Sequence, residues 1–252
     1  MTVCILGAGA FGTALAIALS ETHDIRLWGR NAEEMTKVET TRKNFKLPGP
    51  ILGAKIKITS DAQTAIQGTD FILSVVPLQP TLTILQSLVG YFEGRPLIGC
   101  SKGLDLTTGQ GGYSVLKASY PNGPIGLLTG PSFAADIARG LPTALTLASE
   151  DSQAVSNWQA QLSNDTLRLY VSHDPIGAEL GAALKNVIAI ACGATIGAGL
   201  GESARAALIT RGQAEIMRYA MQLGARPETL AGLSGFGDLC LTCTSEKSRN
   251  YR

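Results

Sequence analysis

Two lysines, an aspartate and a basic–amide pair are the side chains best suited to chemistry in this 252-residue chain. Lys185 sits in Ala183-Leu184-Lys185-Asn186-Val187-Ile188-Ala189, an apolar run of helical character. Burial there disfavours the charged ammonium and pulls its pKa down from about 10.4. A lysine brought towards neutrality takes a proton in one direction of a reaction and returns it in the other. His23 and His173 stand in no motif-like setting, which leaves Lys185 as the candidate base. Near the end of the chain, Ser248-Arg249-Asn250 offers a bidentate guanidinium, an amide and a hydroxyl, a set that suits a phosphate monoester.

A hydride acceptor is implied by the start of the chain. Gly7-Ala8-Gly9-Ala10-Phe11-Gly12 spells G-x-G-x-x-G. Alone the pattern is weak, since a chain with 29 glycines yields roughly 0.4 such matches by chance. Here the apolar strand Val3–Leu6 precedes it and Thr13–Leu19 continues as helix. In such a unit Gly7 makes the tight turn, Gly9 admits the pyrophosphate to the backbone, and Gly12 lets helix pack on strand. An NAD-preferring unit carries a carboxylate about 20 residues after the turn. That place reads Leu27-Trp28-Gly29-Arg30-Asn31, without one. Arg30 either pairs with a 2′-phosphate, favouring NADP over NAD, or is an ordinary surface cation.

The elements that must position these groups alternate. Candidate strands are 2–6, 24–28, 71–76, 97–100, 125–129, 143–147 and 168–171, and most of the central ones are nearly all apolar. Helical stretches such as 12–22, 81–91 and 133–139 lie between them. The alternation predicts a doubly wound, mostly parallel sheet with ligands at the carboxyl ends of its strands. Beyond residue 172 helices dominate, over roughly 175–193, 203–223 and a piece from near Gly237, with Asp174-Pro175 as a helix start. The chain is therefore divided into a dinucleotide-binding domain, 1–172, and a helical substrate domain, 173–252.

Composition narrows the class. With 45% apolar and 16% charged residues the chain can bury a core, and its net charge of +1 gives no sign of a nucleic-acid or membrane-surface partner. The apolar runs 5–19 and 187–201 fall short of the roughly 20 residues a spanning helix needs. Five cysteines, an odd number without a repeated framework, point to a reducing cytoplasmic compartment. Cys240-Leu241-Thr242-Cys243 has metal-like spacing but no second pair, and no metal is expected.

Further motifs follow in order: Ser101-Lys102-Gly103-Leu104, Thr129-Gly130-Pro131-Ser132-Phe133-Ala134, the Lys185 run, Gly235-Phe236-Gly237-Asp238-Leu239 and Ser248-Arg249-Asn250. With the opening turn, the set resembles the bacterial NAD(P)-dependent glycerol-3-phosphate dehydrogenases over essentially the whole chain. The resemblance implies a Rossmann-like, mostly parallel sheet followed by an all-helical domain of the 6-phosphogluconate-dehydrogenase type. It implies reversible hydride transfer between NAD(P)H and dihydroxyacetone phosphate, a phosphorylated triose, giving sn-glycerol 3-phosphate for glycerophospholipid synthesis. It is compatible with a homodimer. Lys185 is implied as the proton-transfer group, and Lys102 as a contact to both substrate and nicotinamide. Gly130 and Ser132 are implied on the substrate, Ala134 at the nicotinamide, and Gly7, Gly9, Ala10, Phe11, Gly12 and Arg30 on the rest of the cofactor. Asp238 binds the substrate hydroxyls or orients Lys185, unless it only caps a helix. Ser248, Arg249 and Asn250 take the phosphate, with Arg249 also at the cofactor.

Family members continue past the Ser-Arg-Asn motif with further helices, whereas this chain stops at Tyr251-Arg252. The expectation is a helical domain truncated at its C-terminus. Two other readings compete: a catalytically dead NADP-binding module or fragment, and a related two-domain 3-hydroxy-acid dehydrogenase. The Lys185-Asn186-Val187-Ile188 and Ser248-Arg249-Asn250 segments argue against the second.

Overall fold

A computed structural model describes all residues from Met1 to Arg252. Eight strands form one sheet: β1 (Thr2–Leu6), β2 (Asp24–Trp28), β3 (Ile56–Thr59), β4 (Phe71–Ser74), β5 (Leu97–Gly99), β6 (Ile125–Thr129), β7 (Thr143–Ala148) and β8 (Leu167–Ser172). Their order is β3-β2-β1-β4-β5-β6-β7-β8. The first six run parallel, β7 lies antiparallel to β6, and β8 is parallel to β7. The order reverses between β1 and β4, where an open sheet of this kind leaves a crevice for ligands.

Strand residues alternate between two cores. Val3 and Ile5 of β1 enter a cluster of 24 residues on one face. Cys4 and Leu6 enter a cluster of 18 on the other. Strands β4, β5 and β6 are buried along their whole length, which is why their sequences read as unbroken apolar runs. The strand β3 is absent from the sequence expectation. It has four residues, carries Lys57 and pairs only with β2 at the sheet edge, so its apolar signal is confined to Ile56 and Ile58.

Helices α1 (Ala10–Leu19), α2 (Ala32–Thr41), α3 (Ala62–Ile66), α4 (Leu78–Leu88), α5 (Gly112–Ser119), α6 (Ala134–Ala138) and α7 (Ser152–Leu162) connect the strands. Helix α1 starts two residues before the expected Gly12, which therefore lies inside it, and a Cβ there would collide with the carbonyl of Gly7. Then come α8 (Pro175–Gly197), α9 (Gly201–Gln222), α10 (Pro227–Ala231), a π-helical turn at Leu233–Gly237, and α11 (Asp238–Thr244). These pack around a third apolar cluster that includes Ala189, Cys192, Ile216 and Leu239. At 23 residues α8 extends beyond the expected 175–193, and it is long and apolar enough to cross a membrane by length and composition. It packs against β6, α9 and α11 and buries Glu179 and Lys185.

The start of α8 is fixed by Asp174. Its Oδ1 accepts from Gly177 N at 2.8 Å, capping the helix, while Oδ2 accepts from Arg226 N at 2.7 Å and ties in the segment before α10. Pro175 occupies the first turn, where its missing N–H costs nothing. Asp174→Ala removes the cap and leaves the Arg226 N–H without its partner, so unfolding free energy should fall by about 1–3 kcal/mol. A denaturant midpoint with unchanged slope measures it.

Candidate active site

The two lysines that the sequence singles out meet on one carboxylate. Lys102 follows β5 and Gly130 follows β6, at the carboxyl ends of neighbouring strands. Lys102 Nζ donates to Gly130 O at 2.8 Å and to Asp238 Oδ2 at 2.7 Å. Lys185, from the middle of α8, donates to Asp238 Oδ1 at 2.5 Å. Asp238 opens α11 and is 1% exposed, so its charge is not shared with water but divided between two ammonium groups.

Burial, and then Lys102 close by, pull the Lys185 ammonium from its ordinary 10.5 down to about 8, against the opposing pull of Asp238. Thr242 is a member of this cluster that sequence reasoning missed. Its Oγ1 accepts from Lys185 Nζ at 2.8 Å and donates to Asp238 O at 2.6 Å. Four residues from Asp238 on the same helix, it sits on the same face, and that i, i+4 spacing was the available signal.

Beside this cluster opens a pocket of about 240 Å³, room for a small polar molecule. Ser132, Lys185, Asn186, Asp238 and Thr242 line one part, and Lys247, Ser248, Arg249 and Asn250 another. Gly130, with φ +142, turns the chain so that its carbonyl receives Lys102, and Ser132 Oγ donates to the same oxygen at 3.3 Å. The Ser-Arg-Asn segment is seated at several points. Asn250 Nδ2 donates to Asn186 Oδ1 at 2.8 Å, and Arg205 donates to the Tyr251 hydroxyl at 2.9 Å. Gly193 of α8 admits the Tyr251 carbonyl where any Cβ would collide. Lys247 Nζ binds Asp136 of α6 at 2.9 Å and lies 5.6 Å from the Phe133 ring centroid. Asn186 and Lys247 are further lining residues that the sequence reading left out of the site.

A second cleft, of about 440 Å³, lies at the switch point between β1 and β4. Gly7, Ala8 and Gly9 form its floor, Val75, Val76 and Pro77 one wall, and Arg30, Asn31, Glu34 and Lys46 its far end. Gly7 has φ +125 and lies so near Val75 that a Cβ would come within 2.8 Å of its backbone. Gly9 faces open space and precedes α1, whose first N–H groups receive no side-chain cap. Buried Asn44 fixes the turn from behind, donating to Ala8 O at 3.1 Å and Thr13 Oγ1 at 2.8 Å. A bare helix N-terminus behind a glycine floor fits a pyrophosphate.

Other expected cofactor residues lie elsewhere. Ala10 and Phe11 begin α1 and pack against the Ala14–Ala18 face, and Ala134 begins α6 against the same cluster; none of the three lines either cleft. Arg249 lines the small pocket rather than the glycine cleft. Arg30 is exposed just after β2, where the sequence carries no carboxylate; Glu34, on the first turn of α2 and paired with Lys46 at 2.7 Å, also lines this end of the cleft. Asn31 caps α2 by accepting from Glu34 N at 3.0 Å, which holds Glu34 on the first turn facing the cleft.

Asp238→Asn leaves Lys102 and Lys185 without their counter-charge, and should cost about 3–5 kcal/mol near neutral pH. Because Lys185 holds its proton less tightly folded than unfolded, stability rises as pH passes upward from about 8 towards the unfolded value. Without the Asp238 charge Lys185 loses its proton at lower pH still, so the deficit of the variant should narrow as pH rises to about 8 and stay level above it, as denaturant titrations across pH would record.

Comparison with known proteins covers the whole chain. A family model for the NAD-dependent glycerol-3-phosphate dehydrogenase N-terminus matches residues 2–155, and one for its C-terminus matches residues 174–252. A glycerol-3-phosphate dehydrogenase [NAD(P)+] of Roseobacter denitrificans is 55% identical over 253 aligned residues, spanning 100% of this chain and 79% of the relative. One from Ruegeria is 54% identical with the same coverage. The crystal structure of a Coxiella burnetii glycerol-3-phosphate dehydrogenase superposes with a TM-score of 0.94 at 35% identity, covering 100% of this chain and 78% of that one. Over both its sheet and its helical part, the chain belongs to the NAD-dependent glycerol-3-phosphate dehydrogenase family.

Proposed function

We propose that this protein interconverts dihydroxyacetone phosphate and sn-glycerol 3-phosphate with a nicotinamide dinucleotide, and that Lys185 moves the proton. The observation that carries the reading is the Lys102–Asp238–Lys185 cluster, of which Asp238 and Lys185 line a pocket together with Arg249 and Asn250. A dinucleotide held at its pyrophosphate by Gly7 and Gly9 would supply or accept a hydride at the substrate carbon that is carbonyl in one direction and carbinol in the other. In the reducing direction protonated Lys185 gives its proton to the carbonyl oxygen and is left neutral. In the oxidising direction neutral Lys185 takes the hydroxyl proton. A pKa of about 8 keeps both forms accessible near neutrality.

The remaining residues hold and orient. Asp238 and Thr242 fix the Lys185 amine on two sides. Lys102 stabilises negative charge developing on the substrate oxygen. Ser248, Arg249 and Asn250, with Lys247 beside them, hold the phosphate, and Gly130 and Ser132 close the substrate side. Gly7 and Gly9 take the pyrophosphate, with Gly12 packing the helix behind them. Two cations, Arg30 and Lys46, against one carboxylate, Glu34, favour NADP over NAD at the far end of the cleft. We place the junction of the dinucleotide and substrate parts at residues 172–173, between β8 and α8. The five unbridged cysteines suit the cytoplasm.

Dihydroxyacetone phosphate reduction should slow as pH rises through about 8, and glycerol 3-phosphate oxidation should accelerate over the same interval. Steady-state pH profiles in both directions check the sign. Lys185→Ala should lower kcat by roughly 10²–10⁴-fold while dinucleotide affinity holds. A protein that only bound nucleotide would show no turnover before or after the change. Arg30→Ala should weaken NADPH about tenfold relative to NADH, the worth of a charge-assisted hydrogen bond. An unchanged ratio in fluorescence titrations would remove the 2′-phosphate assignment.

A further inference from the structure

Three carboxylates are buried in this protein: Asp174, Glu179 and Asp238. Asp174 caps α8 and Asp238 holds the two lysines. Glu179 has neither task and no cationic partner, yet it lies on the same helix as Lys185, six residues before it. Burial pushes its carboxyl upward, so its position must be supported by its hydrogen bonds.

Those bonds cross from the helical part to the sheet part. Glu179 Oε2 accepts from Tyr113 N at 2.8 Å and Ser114 N at 3.2 Å, and Oε1 accepts from Ser114 Oγ at 3.1 Å. These are the first-turn donors of α5, whose own cap position is Gly111, without a side chain. A residue with a Cβ at 111 would collide with the Glu179 carboxyl. At the next glycine, 112, a Cβ would press to 3.1 Å from Ser101 O. Carboxylate, glycine pair and Ser101 are thus packed in one continuous stack, and Ser101 is the residue before Lys102. The segment from Ser101 to Gly111 also closes on itself. Leu104 bridges Gly111, and Asp105 N donates to Gln110 O at 2.8 Å. Fixing Gly111 and Gly112 fixes the base of the loop from which Lys102 reaches Asp238.

We propose that Glu179 is a positioning residue: by capping α5 from α8 it registers the Lys102 loop against the Lys185 helix and sets how both lysines meet Asp238. The proposal rests on Lys185 being the proton-transfer group. A cap made locally, by Ser or Asp at 111, would satisfy α5 equally well but would leave the loop free of α8. The charge facing Lys185 comes from Lys102 on the loop and Asp238 on α11, the Cys243 thiol being held neutral by burial, and of these groups only Lys102 sits on the loop that the tie secures.

The test labels lysines in the whole protein with acetic anhydride across pH and reads Lys102 and Lys185 separately by peptide mass spectrometry. It compares wild type with Glu179→Ala and Glu179→Gln, and with Leu162→Ala as a remote destabilised control. In Glu179→Ala, Lys102 should label faster and Lys185 should titrate higher, having lost a neighbouring cation. Turnover should fall about 10-fold or more with dinucleotide affinity unchanged. Glu179→Gln keeps the shape and an acceptor oxygen, and should return both lysines close to their wild-type profiles. If Glu179→Ala does not fold, Ser114→Ala, which removes one bond of the cap, should shift both lysines in the same sense but less. Stability loss with both labelling profiles as in wild type or Leu162→Ala overturns the proposal. Turnover and labelling fail separately: an inactive wild type would defeat the proposed reaction, while labelling would still decide whether Glu179 places the lysines.

Discussion

One carboxylate with two ammonium partners sets the terms for the rest of this molecule. Asp238 is almost wholly buried, and a buried anion is tolerable only when its charge is matched at hydrogen-bond range. The matching groups come from a loop after β5 and from the middle of α8, so the sheet part and the helical part must dock before either is satisfied. The same arrangement leaves two positive charges competing for one negative charge. That competition, added to burial, is what brings Lys185 down towards neutrality. Pairing supplies the fit and imperfect pairing supplies the chemistry.

Around that cluster, backbone geometry does what side chains do not. Gly130, with its positive φ, delivers a carbonyl to Lys102, and Gly7 lets β1 turn tightly against Val75. Gly193 lets the Tyr251 backbone lie directly on α8, which presents the preceding Ser-Arg-Asn residues to the pocket. At Gly7 and Gly193 the approach is shorter than a Cβ permits.

What was legible in the sequence follows from how local each signal is. Strands β1, β4, β5 and β6 announced themselves because both faces are covered, while β3 at the edge did not. The glycine turn was readable because its neighbours on each side had to be strand and helix. Lys102, Lys185 and Asp238 stood out singly as polar breaks in apolar or glycine-rich runs, and the structure brings them together. Thr242 and Asn186 were not singled out, since an ordinary Thr or Asn acquires meaning only from the helix opposite. Glu34 was missed because its cleft-facing position depends on how α2 leaves β2, four residues beyond the place a carboxylate was sought. Glu179 left no trace either, as its partners are two backbone donors and a hydroxyl 66 and 65 positions away.

The distances along the chain have a consequence for assembly. Asp238 lies 53 residues after Lys185 and 136 after Lys102. A growing polypeptide thus completes its sheet and α8 well before the residue that neutralises their charges emerges. Until then α8 can meet α5 through Glu179 and pack on β6, but Lys185 and Lys102 lack their shared counter-charge. Only with α11 in place does Asp238 bridge the Lys102 loop and α8, so the surroundings that make the Lys185 amine reactive are assembled from parts far apart in the chain.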